Sequence, residues 1–225
     1  MSTQMATFSP DSYTYNPAEY VDAGATILPL PGTYRFRVTS LGRRKDRETG
    51  AEILKDGVWP TLVLNRIEIV EPLDENGTFA LFEELYTKPY LRKGQGREVP
   101  AAKHMDLLRA IDQHAQVSDF LEGVQEVERL LSSGQTFVAQ LGYRAQDTDW
   151  AKAEIARSGG KDAMSKEDYN AVWTAAKLST KDFKNPNGGY RTQAMGRSGN
   201  LLGAKLTLTK FIPSETQVDL GPFTR

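Results

Sequence analysis

The stretch Tyr34-Arg35-Phe36-Arg37-Val38-Thr39 alternates apolar and polar residues with a period of two, the pattern of a half-buried β-strand. Tyr34, Phe36 and Val38 fall on one side; Arg35, Arg37 and Thr39 fall on the other. The strand is therefore expected to bury three side chains and to carry a basic outer row. Upstream, Pro29-Leu30-Pro31-Gly32 punctuates the chain. Residues 1–27 have Pro10, Pro17 and several tyrosines without periodicity, and read as a flexible N-terminal arm.

Downstream, Gly42 to Gly57 is a charged connection with turn signals at Thr49-Gly50 and Asp56-Gly57. The next strand runs from Thr61 to Val70 on Leu62, Leu64, Ile67 and Ile69. Its phase changes at Asn65-Arg66, as a bulge requires. Glu71-Pro72 and the turn Asp74-Glu75-Asn76-Gly77 separate it from a third strand, roughly Phe79 to Tyr90. Helical spacing follows over Ala101 to Ala115 (Met105, Leu108, Ile111) and over Asp119 to Ser132 (Phe120, Val124, Val127, Leu131). Ser118 or Asp119 caps the second helix, and Gly134 stands where a left-handed residue ends it. A strand resumes from Gln135 to Ala145. Residues 147–179 read as a helical insertion, capped at Thr148 or Asp149 and again at Ser165, three residues before Asp168. A Gly- and Asn-rich loop spans Asn185 to Gly203, and the last strand covers Leu202 to Ile212 before Pro213.

The expected fold class is mainly β with helical insertions (α+β). Five strands with a helix between the third and fourth is the element order of an OB-like five-stranded barrel; a β-sandwich with helical excursions is the alternative. The barrel domain would occupy residues 28–213, with the tail at 214–225.

Leu30-Pro31-Gly32-Thr33-Tyr34 and Trp59-Pro60-Thr61-Leu62-Val63-Leu64 resemble the opening of phage-encoded single-stranded-DNA-binding proteins. Phe183 to Pro213, with Gly203-Ala204-Lys205-Leu206-Thr207-Leu208 and then Phe211-Ile212-Pro213, resembles their later part. The resemblance covers about half the chain, in patches. It implies an OB-like fold, single-stranded DNA as ligand, and a place in phage-type replication or recombination in the host cytoplasm. Many such proteins end in an acidic tail that recruits replication partners. This sequence ends Asp219-Leu220-Gly221-Pro222-Phe223-Thr224-Arg225, so tail-mediated recruitment and a role as the principal replication protein are not implied.

Composition narrows the classes. The 225 residues are 39% hydrophobic and 25% charged, ordinary for a globular protein with its own core. There is no cysteine, which excludes disulfides, thiolate metal sites and a cysteine nucleophile. No secretion signal or membrane-length apolar run is found, so a cytoplasmic location is expected. The formal net charge is −1, but the charges are sorted by segment. Arg35 to Arg47 and Lys181 to Lys210 are basic, and Glu68 to Glu84 is acidic. Such sorting can build one positive face or merely solvate strands and loops.

Binding a single strand without sequence preference needs cations for phosphates and rings for bases. The residues that offer them are Arg35, Arg37, Arg43, Arg44 and Lys45 on the first strand and its loop, then Trp59. Tyr90, Arg92, Lys93 and Arg97 surround a glycine turn, and Tyr143-Arg144 ends the fourth strand. Phe183, Lys184, Tyr190 and Arg191 flank Asn185-Pro186-Asn187-Gly188-Gly189, a loop flexible enough to close over a strand. Arg197 and Lys205 complete the set. Tyr90, Tyr143 and Phe183 can equally pack on the protein; Trp150 and Trp173 read as core of the insertion. The expected ligand is single-stranded DNA, with RNA, replication proteins and a homo-oligomer left open.

No enzyme is expected. His104 and His114 are ten positions apart and share no helical face as an i, i+4 metal pair would. Gly94-Gln95-Gly96 lacks the Lys-Ser or Lys-Thr of a phosphate loop, and no nucleophile elbow is present. No cofactor or metal is implied. The alternatives are a structural or adaptor protein of a virion or replication assembly and, third, a divalent-cation-dependent nuclease built on scattered carboxylates.

Overall fold

The computed structural model describes residues 28–72, 80–94, 97–186 and 188–223; the arm expected at 1–27 lies outside them. Strands β1 (Gly32–Arg43), β2 (Leu54–Lys55), β3 (Trp59–Glu71) and β4 (Ala80–Tyr86) come first. A hairpin of β5 (Tyr90–Gly94) and β6 (Arg97–Ala101) leads into helices α1 (Lys103–Ile111) and α2 (Phe120–Ser132). Next are β7 (Thr136–Gln146), α3 (Thr148–Arg157), α4 (Lys166–Ala175) and β8 (Lys177–Ser179). The hairpin of β9 (Gln193–Met195) and β10 (Leu201–Gly203), then β11 (Lys205–Ile212) and β12 (Gly221–Pro222), complete the chain. The protein is a mixed α+β fold. No described helix is long and apolar enough to cross a membrane.

The long strands pair antiparallel in the order β4-β3-β1-β7-β11. Period-two alternation sets the buried face: Tyr34, Phe36 and Val38 from β1, Leu62, Leu64, Ile67 and Ile69 from β3, Phe137, Ala139 and Leu141 from β7. Phe36 stacks on Phe137 at 5.7 Å, and Phe211 meets Phe137 edge-on at 5.7 Å. The bulge expected at Asn65-Arg66 is a register shift between Leu64 and Ile67. Without it Ile67 and Ile69 would turn to solvent.

The sheet does not close into the expected barrel. Its edge strands β4 and β11 meet without a hydrogen-bonded ladder. At the seam Glu83, 3% exposed, takes the Leu208 amide at 3.2 Å and the Thr207 hydroxyl at 3.0 Å. A side chain thus satisfies a donor that a backbone carbonyl would take in a closed barrel.

Two further expectations are corrected. The third strand ends at Tyr86, and Tyr90 begins the separate β5–β6 hairpin. The segment 185–203 holds the β9–β10 hairpin. The tail returns to the sheet, with Gly221 and Pro222 pairing with Thr33 and Gly32.

Helices α1 and α2 pack on the inner face. Asp119 caps α2 by accepting the Leu121 and Glu122 amides, each at 2.8 Å, and Gly134 past its end has φ of 83°. Between the helices His104 is fully buried. Its Nε2–H donates to the Phe120 carbonyl at 2.8 Å, and Nδ1 is buried without a partner. Burial lowers its pKa below the ordinary value, because a second proton would place a charge among apolar side chains. The unfolded chain therefore takes up that proton first. The stabilising contribution is full above the unfolded pKa of about 6.5. It is lost as pH falls below that value, at up to about 1.4 kcal/mol per pH unit. His104→Gln, which keeps an N–H donor for Phe120, is expected to flatten this loss between pH 7 and 5 in urea denaturation. Parallel pH curves for the two proteins would refute it.

Candidate nucleic-acid interface

On β4 the side chains of Leu81, Glu83 and Leu85 are buried, so those between them point outward. Phe82 is 50% and Tyr86 is 52% exposed. They share the outer face of β4 with Glu84; Tyr86 stands opposite Thr61 and Glu84 opposite Val63 of β3, and Phe82 falls at the register shift between Leu64 and Ile67. The connection from Arg44 to Val58 rises beside this face as the wall of a groove. One part, of about 540 Å³, is lined by Arg43, Arg44, Lys45, Arg47 and Ile53 together with the acids Asp46, Glu48 and Glu84, over Val63 and Asn65. Its continuation, of about 550 Å³, shares Arg44 and Ile53 and reaches Lys55, Tyr86 and Lys88. Ile53, Leu54 and Val58 are exposed beside it.

Asp46 shapes this wall. It accepts the Glu48 amide at 3.0 Å and the Thr49 amide at 2.8 Å, a local turn that occupies its carboxylate. These bonds, with the Thr49 hydroxyl, lower its pKa. Lys88 pairs with Asp56, and Arg44 lies 3.7 Å from Glu84. Lys45, Arg47 and Lys55 make no ion pair among the described residues. The groove therefore offers unpaired cations, interspersed with carboxylates, beside the Tyr86 ring and a partly apolar wall, and Phe82 stands exposed on the same face of β4. It can take an anionic chain that carries flat bases. Among the described residues no group of three His, Asp or Glu side chains could hold a metal ion.

The basic outer row of β1 does not form a phosphate track. Antiparallel pairing sets the acidic end of β3 against it: Arg35 pairs with Glu71 at 2.7 Å, and Arg37 stands opposite Glu68. Glu68 also receives Arg66 at 2.8 Å. Arg43 is structural. It donates to both oxygens of Glu128 at 2.6 and 2.7 Å and to Glu52 at 3.2 Å. The bonds to Glu128, foremost, raise its pKa further and tie β1 to α2. Blocks of charge separated in sequence are thus neighbours in space.

Comparison of the chain with family models, curated proteins and solved structures finds no match. Its chemistry is read from its own geometry.

Of the expected aromatic sites, two are core. Tyr143 is 1% exposed and donates to the Pro29 carbonyl at 3.0 Å. Phe183 is fully buried and meets Tyr143 edge-on at 5.7 Å. Neither ring can stack on a base in this conformation. Tyr190 is half-buried with its ring 6.1 Å from Tyr143, and it bridges Lys184. Bonds from Asn185 N to Gly189 O and from Arg191 N to Phe183 O close that loop on itself, so it is a pinned turn where a flap was expected. Arg191 donates to the Asp182 carbonyl at 3.2 Å. Trp59 is half-buried at the start of β3.

Tyr90 is exposed on the β5–β6 hairpin, with the Arg92 guanidinium 5.5 Å from its ring centre. Arg92 also pairs with Asp106 of α1, which anchors the hairpin. Lys93 stands opposite Glu98, and Arg97 opposite Gly94. Arg197 lies 4.9 Å over the Trp150 ring. Arg144 and Lys205 face each other across β7 and β11. The expected residues other than the buried Tyr143 and Phe183 therefore fall into several separate groups on the surface. Phe82, Tyr86 and Lys55 are not among those expected.

Proposed function

We propose that this protein binds single-stranded DNA without strong sequence preference, as an open OB-type module, in phage-type replication or recombination. The carrying observation is the outer face of β3 and β4. There Phe82 and Tyr86 are uncovered beside a groove walled by the Arg44–Val58 connection with its unpaired cations. In OB folds the outer face of the second and third strands, flanked by the loop between the first two, takes oligonucleotides. The strand path β4-β3-β1-β7-β11, with α1 and α2 between its third and fourth long strands in chain order, supports that correspondence. So does the sequence resemblance to phage single-stranded-DNA-binding proteins. Rings supply stacking that every base accepts, and Lys45, Arg47 and Lys55 supply phosphate contacts.

Fluorescence anisotropy with labelled oligo-dT tests this. Binding is expected at micromolar concentrations or tighter in low salt, weakening steeply as salt rises. The absence of binding at low salt would end the reading. Equal affinity for duplex DNA would also count against it, because stacking on β4 needs unpaired bases.

A further inference from the structure

The end of β7 carries a second basic feature, on the other side of the Glu83 seam. Its partners there are β8 on one edge and β11 on the other: Arg144 pairs with Ser179 and Lys205, and Gln146 with Lys177. Directly paired residues of antiparallel strands share a face, as do i and i+2 of one strand. Arg144, Gln146, Lys177 and Lys205 therefore project from one side of three adjacent strands. A groove of about 650 Å³ opens there, with Thr148, Leu202 and Gly203 completing its walls.

None of its lining residues is acidic. Lys177 and Lys205 make no ion pair among the described residues. Arg144 has one carboxylate near, Glu83 at 3.8 Å. The other oxygen of Glu83 is held by Thr207 and Leu208. Like charges set directly across a strand pair cost stability, and this fold sets Arg144 against Lys205 with Lys177 nearby. Such a cluster is explained if an anion occupies it when the protein is at work.

We propose that this groove holds phosphates of the same single strand whose bases stack on Phe82 and Tyr86. The inference rests on the single-strand reading above and extends it. Glu83, on the buried face of β4, lies 3.8 Å from Arg144 across the seam, so the basic groove adjoins the edge of the sheet that β4 forms, and a strand leaving the outer face of β4 must round that edge to reach it. The strand crosses the seam, its bases on β4 and its backbone on β7, β8 and β11.

The test is a salt series on the full chain with oligo-dT. Each phosphate contact on a single strand contributes about 0.7 to the slope of log affinity against log salt. Lys177→Ala with Lys205→Ala is expected to reduce the slope by about 1.4, two contacts' worth. Lys177→Arg with Lys205→Arg is expected to retain it. As a control for general charge, Lys103→Ala with Arg129→Ala on the exposed faces of α1 and α2 is expected to leave it unchanged. Wild-type binding with an unaltered slope in the alanine pair would overturn the groove and leave the function standing. An equal loss in the control pair would also overturn it, because diffuse charge would then suffice. If the wild type does not bind at all, both readings fall together.

Discussion

Replacing Phe82 and Tyr86 together by alanine is expected to weaken oligo-dT binding at least thirtyfold while leaving the salt slope unchanged. Stacking one base on an aromatic ring is worth about 1–3 kcal/mol, so two rings contribute about 2–6 kcal/mol if each takes a base. The lower figure already exceeds a tenfold change in affinity. The two rings are half exposed and lie outside the buried cluster formed by Tyr34, Phe36, Leu62 and their neighbours. Their removal should therefore move the urea midpoint little, because large stability losses come from buried sites. Isotherms at one salt concentration measure the loss, and a salt series confirms that no phosphate contact went with it. Unchanged affinity in a folded double variant would remove β4 from the binding face.

Both rings are legible in the sequence: with Leu81 and Leu85 setting the phase of β4, Phe82 and Tyr86 fall on the opposite side, an alternation that the acidic run from Glu68 to Glu84 masks for Phe82. The same parity rule undoes the reading of Tyr143-Arg144 as a joint ring-and-cation site. Adjacent residues of a strand point to opposite faces, so one of the two had to be inside, and it is Tyr143. Local patterns did carry much of the fold. The alternation at Tyr34 to Val38, the slip at Asn65-Arg66, the Asp119 cap and Gly134 all lie where the residues placed them. What they could not carry was partnership. Arg35 looks like a free cation until β3 brings Glu71 beside it. The open seam depends on Glu83 reaching Thr207, a residue far along the chain. The β9–β10 hairpin is too short to show a period, and its turn is held by a residue before α3.

That residue is Asp147, and Asp147→Ala is expected to cost about 3 kcal/mol or more of folding stability. Its side chain is 1% exposed. It caps α3 by accepting the Trp150 amide at 3.1 Å and reaches across to accept the Ser198 amide at 2.7 Å. A Cβ at Gly196 would come within 2.3 Å of its Oδ2, so the turn after β9 needs glycine there to close around the carboxylate. Hydrogen bonds to a charged group are worth roughly 1.5–3 kcal/mol each, and alanine removes two that are part-buried. Burial opposes ionisation of Asp147, but the bonds from Ser198, Trp150 and Arg197 outweigh it and hold the carboxyl below its ordinary pKa. For an acid with a depressed folded pKa, the contribution is full above the unfolded value of about 3.9 and lost as pH falls through the folded one. Asp147→Asn keeps an acceptor oxygen without the charge, so its stability should fall less steeply than the wild type's in that acidic window. Urea midpoints at pH 7 and down to about pH 3 separate the cases. Because Leu202 and Gly203 of β10 wall the basic groove, freeing this hairpin should also loosen the hold on phosphates. A variant with wild-type midpoints would mean that the turn is held by its backbone bonds alone, from Gly196 to Asn200 and from Gly199 to Gly196.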